Sequence, residues 1–578
     1  MTSLVDAESV LAIDIGSQNT RALLFDVVDG QYHLISTAAA PTTAGAPFRD
    51  IGEGVHLALA RLQDITGRTL TSSEAQLILP SQADGSGVDR LALTCSAGDD
   101  LNILTMGLLS DVSLQSAQRL AGTTYGRVVE SIGLNDHRRI DAQLDAALQA
   151  RPDIVIIAGG TEKGATRSVN KLVDLIMMQC QVQPKESRPK VLYCGNSALA
   201  KRVKETVERE TVVIVAPNIR PNIDDEDLAP AETMLAKITA KLRTLQIGGL
   251  ESLAQLSSSP VLPSAFAMGR MMRFSSDLSD LPKATLGIDL GSSSTTLAVA
   301  TADNLQLNVF RSLGMGSSLQ QALQQVRLED VTRWIPFDIP AADVRDYLYQ
   351  KTLFPAMAPM TRETLAIEQA MARQILSVAT QRTVERWPGT ELSFERVFIS
   401  GATLAQAPTP AQSLLMVLDG LQPQGVNVLM LDPYGLSQAL GAIAGSNTLL
   451  PAQIIDSGAY ASLATVLCPV SDARHGTLIM RLLITYEDQT EARVDIKQGS
   501  LVPLPVRNGQ VAHLEVEMLH GAELDPCLPR LRRFKIVGGL CGAVVDARGR
   551  PLSLPVDQVK RQEQILRWAR GMEERRVS

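Results

Sequence analysis

The chain has 578 residues, 45 % of them apolar and 20 % charged, with a net charge of −8 and a pI near 5.5. That balance excludes an intrinsically disordered chain, and the length suggests roughly three or four domains. Lysines and arginines are interspersed with acids rather than gathered in an arm or stripe, so nucleic acid is not expected as a partner.

At the N-terminus, MTSLVDAESV carries Asp6 and Glu8 and lacks a basic stretch followed by an apolar run, so no signal peptide is read there. No later stretch approaches the ~18–20 apolar residues of a membrane span. The six cysteines form no CxxC pair, which points to reduced thiols and a cytoplasmic location. The run from Leu11 reaches Asp14 as an apolar strand, turns at Gly16-Ser17 and resumes as Arg21–Phe25. Asp29-Gly30 marks a second turn and Gln31–Ser36 a third strand. Next come a helical run Ile140–Gln149, an apolar strand ending in Gly159-Gly160-Thr161-Glu162, and a helical run Val169–Cys180. Lys190–Asn196 (strand), Ser197–Glu210 (helix) and Val212–Ala216 (strand) continue the alternation, which is α/β architecture. Residues 1–250 are read as the first half. Ser252–Leu281, rich in Ser, Pro and Met, places a linker or mobile connection at 251–282, within which the run Ala265–Met272 can form a short helix that packs irregular gaps.

Then the opening pattern returns. Leu286-Gly-Ile-Asp-Leu-Gly-Ser-Ser-Ser-Thr295 agrees with Leu11-Ala-Ile-Asp-Ile-Gly-Ser-Gln-Asn-Thr20 at six of ten positions, 275 residues apart. It too continues as strand, turn (Asp303-Asn304) and strand (Leu305–Phe310). The spacing is far too wide for a solenoid and implies a core of two related halves, the second at 283–462. That half holds a helical run Thr364–Arg382, a strand ending at Ser400 and turning at Gly401-Ala402-Thr403, and a helix-like run Gly435–Ala444. From 463 to 555, short β-like runs without intervening helices read as a small separate β domain, and 556–578 as a terminal helix.

The two turns suit a nucleotide. Gly16 and Gly291 leave no Cβ in the path of a phosphate, while Ser17, Asn19, Thr20, Ser292, Ser293, Ser294 and Thr295 supply donors. Asp14 and Asp289 each head a turn. A carboxylate beside a triphosphate needs a cation between them, so ATP with Mg2+ at Asp14 and Asp289 is implied. The bland alternative, a tight hairpin closed by an Asx-type turn, fits one copy more readily than two in matched meanders. Gly401 and Ala402 either lie against adenine or ribose or form an ordinary β–α turn. Gly159, Gly160 and Thr161 are taken as further nucleotide contacts. Asp14, Asp289 and Glu162 are the candidates for holding the metal or orienting an attacking water. No GxxxxGK[ST] P-loop and no nucleophile elbow with a credible triad occurs, which sets aside P-loop NTPases and serine hydrolases.

These hairpins, the Ser400–Thr403 turn and the segment Asp432–Ala444 resemble the phosphate-1, phosphate-2, adenosine and connect-2 motifs of the actin, hexokinase and heat-shock ATPase superfamily. More narrowly, AIDIGSQNTRALLFDVVDG, APTTAGAPFRDIGEGVHLALARLQDITGR, LTCSAGDDLNILTMGL, IVIIAGGTEKGA and VLYCGN resemble the MutL or GlmL accessory proteins of glutamate mutase, over residues 10–445. The resemblance implies a duplicated actin-like (ribonuclease H-like) ATPase core with a C-terminal small β domain and terminal helix. It implies ATP and Mg2+ as cofactors, a weak ATPase activity, and an adenosylcobalamin-dependent mutase as partner. It assigns Asp14, Gly16 and Thr20 to phosphate 1, and Asp289, Gly291 and Thr295 to phosphate 2. Two departures stand out: Ser292-Ser293-Ser294 replaces a Gly-Ala-Thr run, and Thr296 replaces a further acid. ATP turnover is therefore less firmly implied than ATP binding. A small-molecule kinase and a non-catalytic actin-like scaffold are the rival readings, and self-association into a homodimer is left open.

Overall fold

The opening run Val10–Ile15 forms strand β1, buried along its whole length, as a strand that is aliphatic but for Asp14 and covered on both faces must be. β2 (Asn19–Val28) and β3 (Gln31–Pro41) fold back beside it antiparallel, and β4 (Arg90–Cys95) joins its other edge in parallel. This computed structural model describes residues 8–573 except 163, 258, 280 and 530.

After β4 the chain leaves for a separate, all-parallel sheet. It is built from β5 (Leu101–Gly107), β6 (Gly126–Gly133), β7 (Ile154–Ile157), β8 (Lys190–Tyr193) and β9 (Val213–Val215), in the order β6-β5-β7-β8-β9. Helices Ile140–Ala150 and Thr166–Val182 connect its strands where helical runs are predicted. The chain returns through helix Ala229–Gln246 to β10 (Leu262–Pro263), completing a first sheet of order β10-β4-β1-β2-β3.

The second half repeats this plan. β11 (Ala284–Leu290), β12 (Thr295–Ala300) and β13 (Leu305–Phe310) form the meander, and β14 (Phe394–Ser400) and β15 (Gly425–Leu431) add on in parallel. The order β13-β12-β11-β14-β15 and the strand directions match those of the first sheet. This is the expected duplicated, ribonuclease H-like core of the actin type.

Two expectations change. The segment 251–282 is no bare linker: the short helix read at Ala265–Met272 is present and runs longer, Ser264–Asp277, with Ala265, Ala267, Met268, Met271 and Met272 buried. Methionines fill irregular gaps in a core, so the composition that reads as mobile serves packing. Also, the boundary at 462/463 falls inside β16 (Ala461–Cys468), an apolar strand paired antiparallel with β15. The strands that follow are β17 (Leu478–Tyr486), β18 (Glu491–Lys497), β19 (Leu501–Leu504), β20 (Val511–Met518), β21 (Arg533–Val537) and β22 (Ala543–Asp546). β22 and β19 continue the second half's sheet beyond β16, while β18-β17-β20-β21 form an antiparallel sheet of their own. Absent any helix between these strands, the sequence does not tell which sheet each one joins.

The C-terminal strands are fastened by buried charges. Lys283 Nζ lies 2.7 Å from Asp525 Oδ2, with both side chains almost fully buried, and Asp525 also accepts from Ser393 Oγ and the Val426 N–H. The terminal helix Gln558–Glu573 buries Trp568 and Met572, and Arg548 stacks on the Trp568 ring at 4.5 Å. The predicted extension of this helix to residue 578 lies outside the described residues. Among the described residues no helix is long and apolar enough to cross a membrane.

Candidate functional site

Both hairpin turns close the same way: the Gly16 N–H donates to the Asn19 carbonyl and the Gly291 N–H to the Ser294 carbonyl, each at 2.9 Å. The strand register then sets what faces each acid. Asp14 lies opposite Arg21 on β2 and beside Thr94 on β4; Asp289 lies opposite Thr296 on β12 and beside Ser400 on β14.

Asp14 Oδ1 accepts from Thr94 Oγ1 and from Ser264 Oγ, both at 2.7 Å. Asp289 Oδ2 accepts from Gln438 Nε2 at 3.3 Å. Asp432, at the end of β15, is buried and accepts the N–H groups of Leu436 and Ser437 at 2.8 Å. Burial pushes the Asp289 carboxyl up to about 6; Arg21 opposes that, while Asp14 and Asp432 add to it. Burial also raises Asp432, against its two backbone donors. Three carboxylates thus share one region with the Arg21 guanidinium, whose Nη1 is 3.8 Å from Asp14 Oδ2. Here Ser400 Oγ and Gln438 Oε1 are buried without a hydrogen-bond partner, an arrangement that is costly unless a ligand or water completes it.

The structure sorts the predicted residues. Gly16, Ser17 and Asn19 form the accessible tip of the first turn and Gly291 and Ser292 that of the second, whereas Ser293 and Ser294 are buried. Thr20 and Thr295 do not join them. Each is fully buried, and their hydroxyls are bonded inward, Thr20 to Thr42 Oγ1 at 3.2 Å and Thr295 to the Leu313 carbonyl at 2.7 Å. Alternation explains this: Thr20 precedes Arg21, which shares a face with Asp14, so Thr20 points to the opposite face. Ser292 is partly engaged as well, its carbonyl taking the Gly316 N–H at 3.0 Å and its hydroxyl the Ser317 N–H at 3.1 Å.

Gly401, at φ +92°, sits so close to the Leu290 carbonyl that no Cβ fits, which sets the turn, with Ala402 opening a short helix, against the end of β11. Gly159, Gly160, Thr161 and Glu162 fall elsewhere. They follow β7 in the inserted sheet, where Gly159 abuts Leu108 and Gly160 abuts Asn196. The Glu162 carboxylate accepts from Asn218 Nδ2 at 2.8 Å, from the Ser197 N–H at 3.2 Å and from the Ser197 hydroxyl. The Ser197 hydroxyl is the chief cause holding its pKa below the ordinary carboxylate range. That carboxylate is therefore engaged within the inserted sheet. Arg21, Asp432, Gln438, Ser264 and Thr94 were not among the expected site residues. The first two were readable, Arg21 from the hairpin register and Asp432 from its place in the segment Asp432–Ala444. Ser264, 250 residues from Asp14, has no local signal.

Among the described residues no three His, Cys, Asp or Glu side chains form a metal cage. The donor set fits Mg2+ carried in with phosphates, which asks for one or two carboxylates and water rather than a full protein shell.

Solved structures similar to the chain include nucleotide-free acetone carboxylase, at 12 % identity and a TM-score of 0.35, covering 87 % of this chain and 82 % of that one. A glycerol dehydratase reactivase matches at 10 % identity and a TM-score of 0.31, covering 76 % and 99 %. The ethanolamine utilization protein EutJ from Carboxydothermus hydrogenoformans matches at 8 % identity and a TM-score of 0.28, covering 76 % and 90 %. No curated protein matches the chain. The model of the MutL protein family matches residues 10–458, more than three quarters of the sequence, and the chain belongs to that family.

Proposed function

We propose that this protein binds and slowly hydrolyses Mg-ATP, and uses the nucleotide state to activate or repair an adenosylcobalamin-dependent mutase. The observation that carries the nucleotide reading is the convergence of Asp14, Asp289 and Asp432 with unpartnered Ser400 Oγ and Gln438 Oε1 between two matched glycine turns. Asp14 and Asp289 would hold Mg2+, and backbone N–H groups at Ser17–Asn19 and Ser292–Ser294 would hold the phosphates. The Gly401-Ala402 turn would lie against the adenosine. Bound Mg2+ would neutralise the phosphate charge; this chain's acids would position it and the attacking water. The mutase partner is supported by membership of the MutL family.

A scaffold reading, in which nucleotide is structural, draws support from Thr296, a neutral residue opposite Asp289. Steady-state ATP hydrolysis by the protein alone and with an adenosylcobalamin mutase separates the readings. Turnover stimulated by the mutase is expected; tight ATP binding with no turnover under either condition leaves the scaffold. Absence of any ATP or ADP binding at millimolar concentration would defeat both.

A further inference from the structure

Arg311 ties the second hairpin to the root of the inserted sheet. It follows β13 directly, and Phe310 pairs with Thr295, so the strand register carries Arg311 to the side of the turn. Its Nη1 donates to Ser293 Oγ at 3.2 Å. Its Nε donates to Asp100 Oδ1 at 2.8 Å, and Nη2 reaches the same oxygen. The guanidinium also lies over the Tyr125 ring, 5.9 Å from its centroid.

The partners on the far side are placed for transmission. Asp100 immediately precedes β5, and Tyr125 immediately precedes β6. The Tyr125 hydroxyl accepts the Ala265 N–H, next to Ser264, which holds Asp14. The loop Ala97–Asp100 is itself clamped from below: Arg243 Nη1 donates to the Asp99 carbonyl at 2.5 Å, and Gly98, at φ +104°, has no room for a Cβ above that guanidinium.

The Arg311–Asp100 pair is a weak hold. The Asp100 side chain is 44 % exposed, and ion pairs that open to water contribute little. Two of the guanidinium donors converge on one carboxylate oxygen, whereas a phosphate offers two oxygens to the same fork and more charge. A phosphate seated beside Ser293 is therefore the better partner.

We propose that Arg311 senses the terminal phosphate of a nucleotide. With a triphosphate bound, Arg311 leaves Asp100 for the γ-phosphate and frees the loop Ala97–Asp100 at the root of the inserted sheet; with a diphosphate it stays on Asp100. This rests on the nucleotide reading above and adds the residue that distinguishes the two ligand states and the part of the fold that responds.

The test measures calorimetric affinity for ADP and for a non-hydrolysable ATP analogue, alongside hydrogen exchange in peptides spanning 97–107. Arg311→Gln is expected to weaken the analogue about tenfold or more while changing ADP less than about threefold. Arg311→Lys, which keeps charge without the fork, should fall between. Asp100→Asn should tighten the analogue and show fast exchange at 97–107 before any ligand is added. Wild-type exchange in that segment should rise with the analogue and not with ADP. Equal weakening of both nucleotides by Arg311→Gln, or exchange at 97–107 that ignores the nucleotide, overturns the proposal while leaving nucleotide binding intact. Failure of the wild type to bind either nucleotide overturns the underlying reading instead, and this one with it.

Discussion

Gly441 lies against the carbonyl oxygen of Ala267 so closely that no Cβ fits between them. The two residues belong to the helices Leu436–Ile443 and Ser264–Asp277. Ser264 of one helix holds Asp14, and Gln438 of the other holds Asp289. The crossing therefore sets the separation of the two hairpin acids. Gly441→Ala forces the helices apart, at about 1–3 kcal/mol or more of overpacking, and should lower both the melting temperature and nucleotide affinity. Gly571→Ala, at a helical position with open space around it, serves as the control and should melt at or slightly above wild type. Scanning calorimetry that finds Gly441→Ala as stable as wild type would show that the crossing is loose.

Arg21 is the next test. Removing it as Arg21→Gln leaves Asp14, Asp289 and Asp432 without the guanidinium that opposes the burial of Asp289. The variant should lose stability at pH 7.5 and regain much of it near pH 5, where carboxyls can protonate. Magnesium should also stabilise it more than it stabilises wild type. Melting curves that shift equally at both pH values would refute the shared-acid picture.

Glu232 supplies a pH prediction away from the hairpins. It is 3 % exposed, and burial pushes its carboxyl up to about 8 from an ordinary 4.5, opposed by Arg273. A folded-state value above the unfolded one means that its contribution is complete below about 4.5 and is lost as pH rises through about 8. Glu232→Gln should therefore match wild type near pH 4.5 and exceed it above pH 8, by on the order of a few kcal/mol. Parallel pH-dependent melting of the two proteins would exclude it.

The duplicated hairpins were legible in the sequence because a strand-turn-strand is local: Asp14 and Arg21, or Asp289 and Thr296, are fixed by a turn between them. The inserted sheet was legible as α/β alternation. In sequence the hydroxyls of Thr20 and Thr295 look like phosphate donors, and only the pairing register turns them to the other face. The loop Gly159–Glu162 was misplaced for a different reason. A glycine turn after an apolar strand looks the same in any sheet, and which sheet it ends is a long-range fact. The terminal β unit failed likewise, since β16 reads like β17 until its partner is known.

The pairing of β16 with β15 has a testable consequence. A chain ended at residue 460 loses β16 and leaves β15 as a bare edge, and it buries Lys283 without Asp525. Unpaired edges aggregate and an uncompensated buried charge is strongly destabilising, so this fragment should be insoluble or lack cooperative unfolding. Soluble yield and far-ultraviolet circular dichroism decide it; a well-folded 1–460 fragment would mean the core is complete without its last strands.

The Lys283–Asp525 pair also orders events during synthesis. The two residues are 242 apart, so a ribosome delivers the ammonium long before its carboxylate. Asp14 has its own hydrogen-bond partners, Thr94 and Ser264, by residue 264, although one face of its sheet packs on Leu436, Leu440 and Ile454. The second hairpin begins on a strand whose entry point stays electrically incomplete until Asp525 emerges. The polar partners of the two turns therefore arrive at different times on the nascent chain. A ligand that requires both would find its site only when nearly the whole protein has been made.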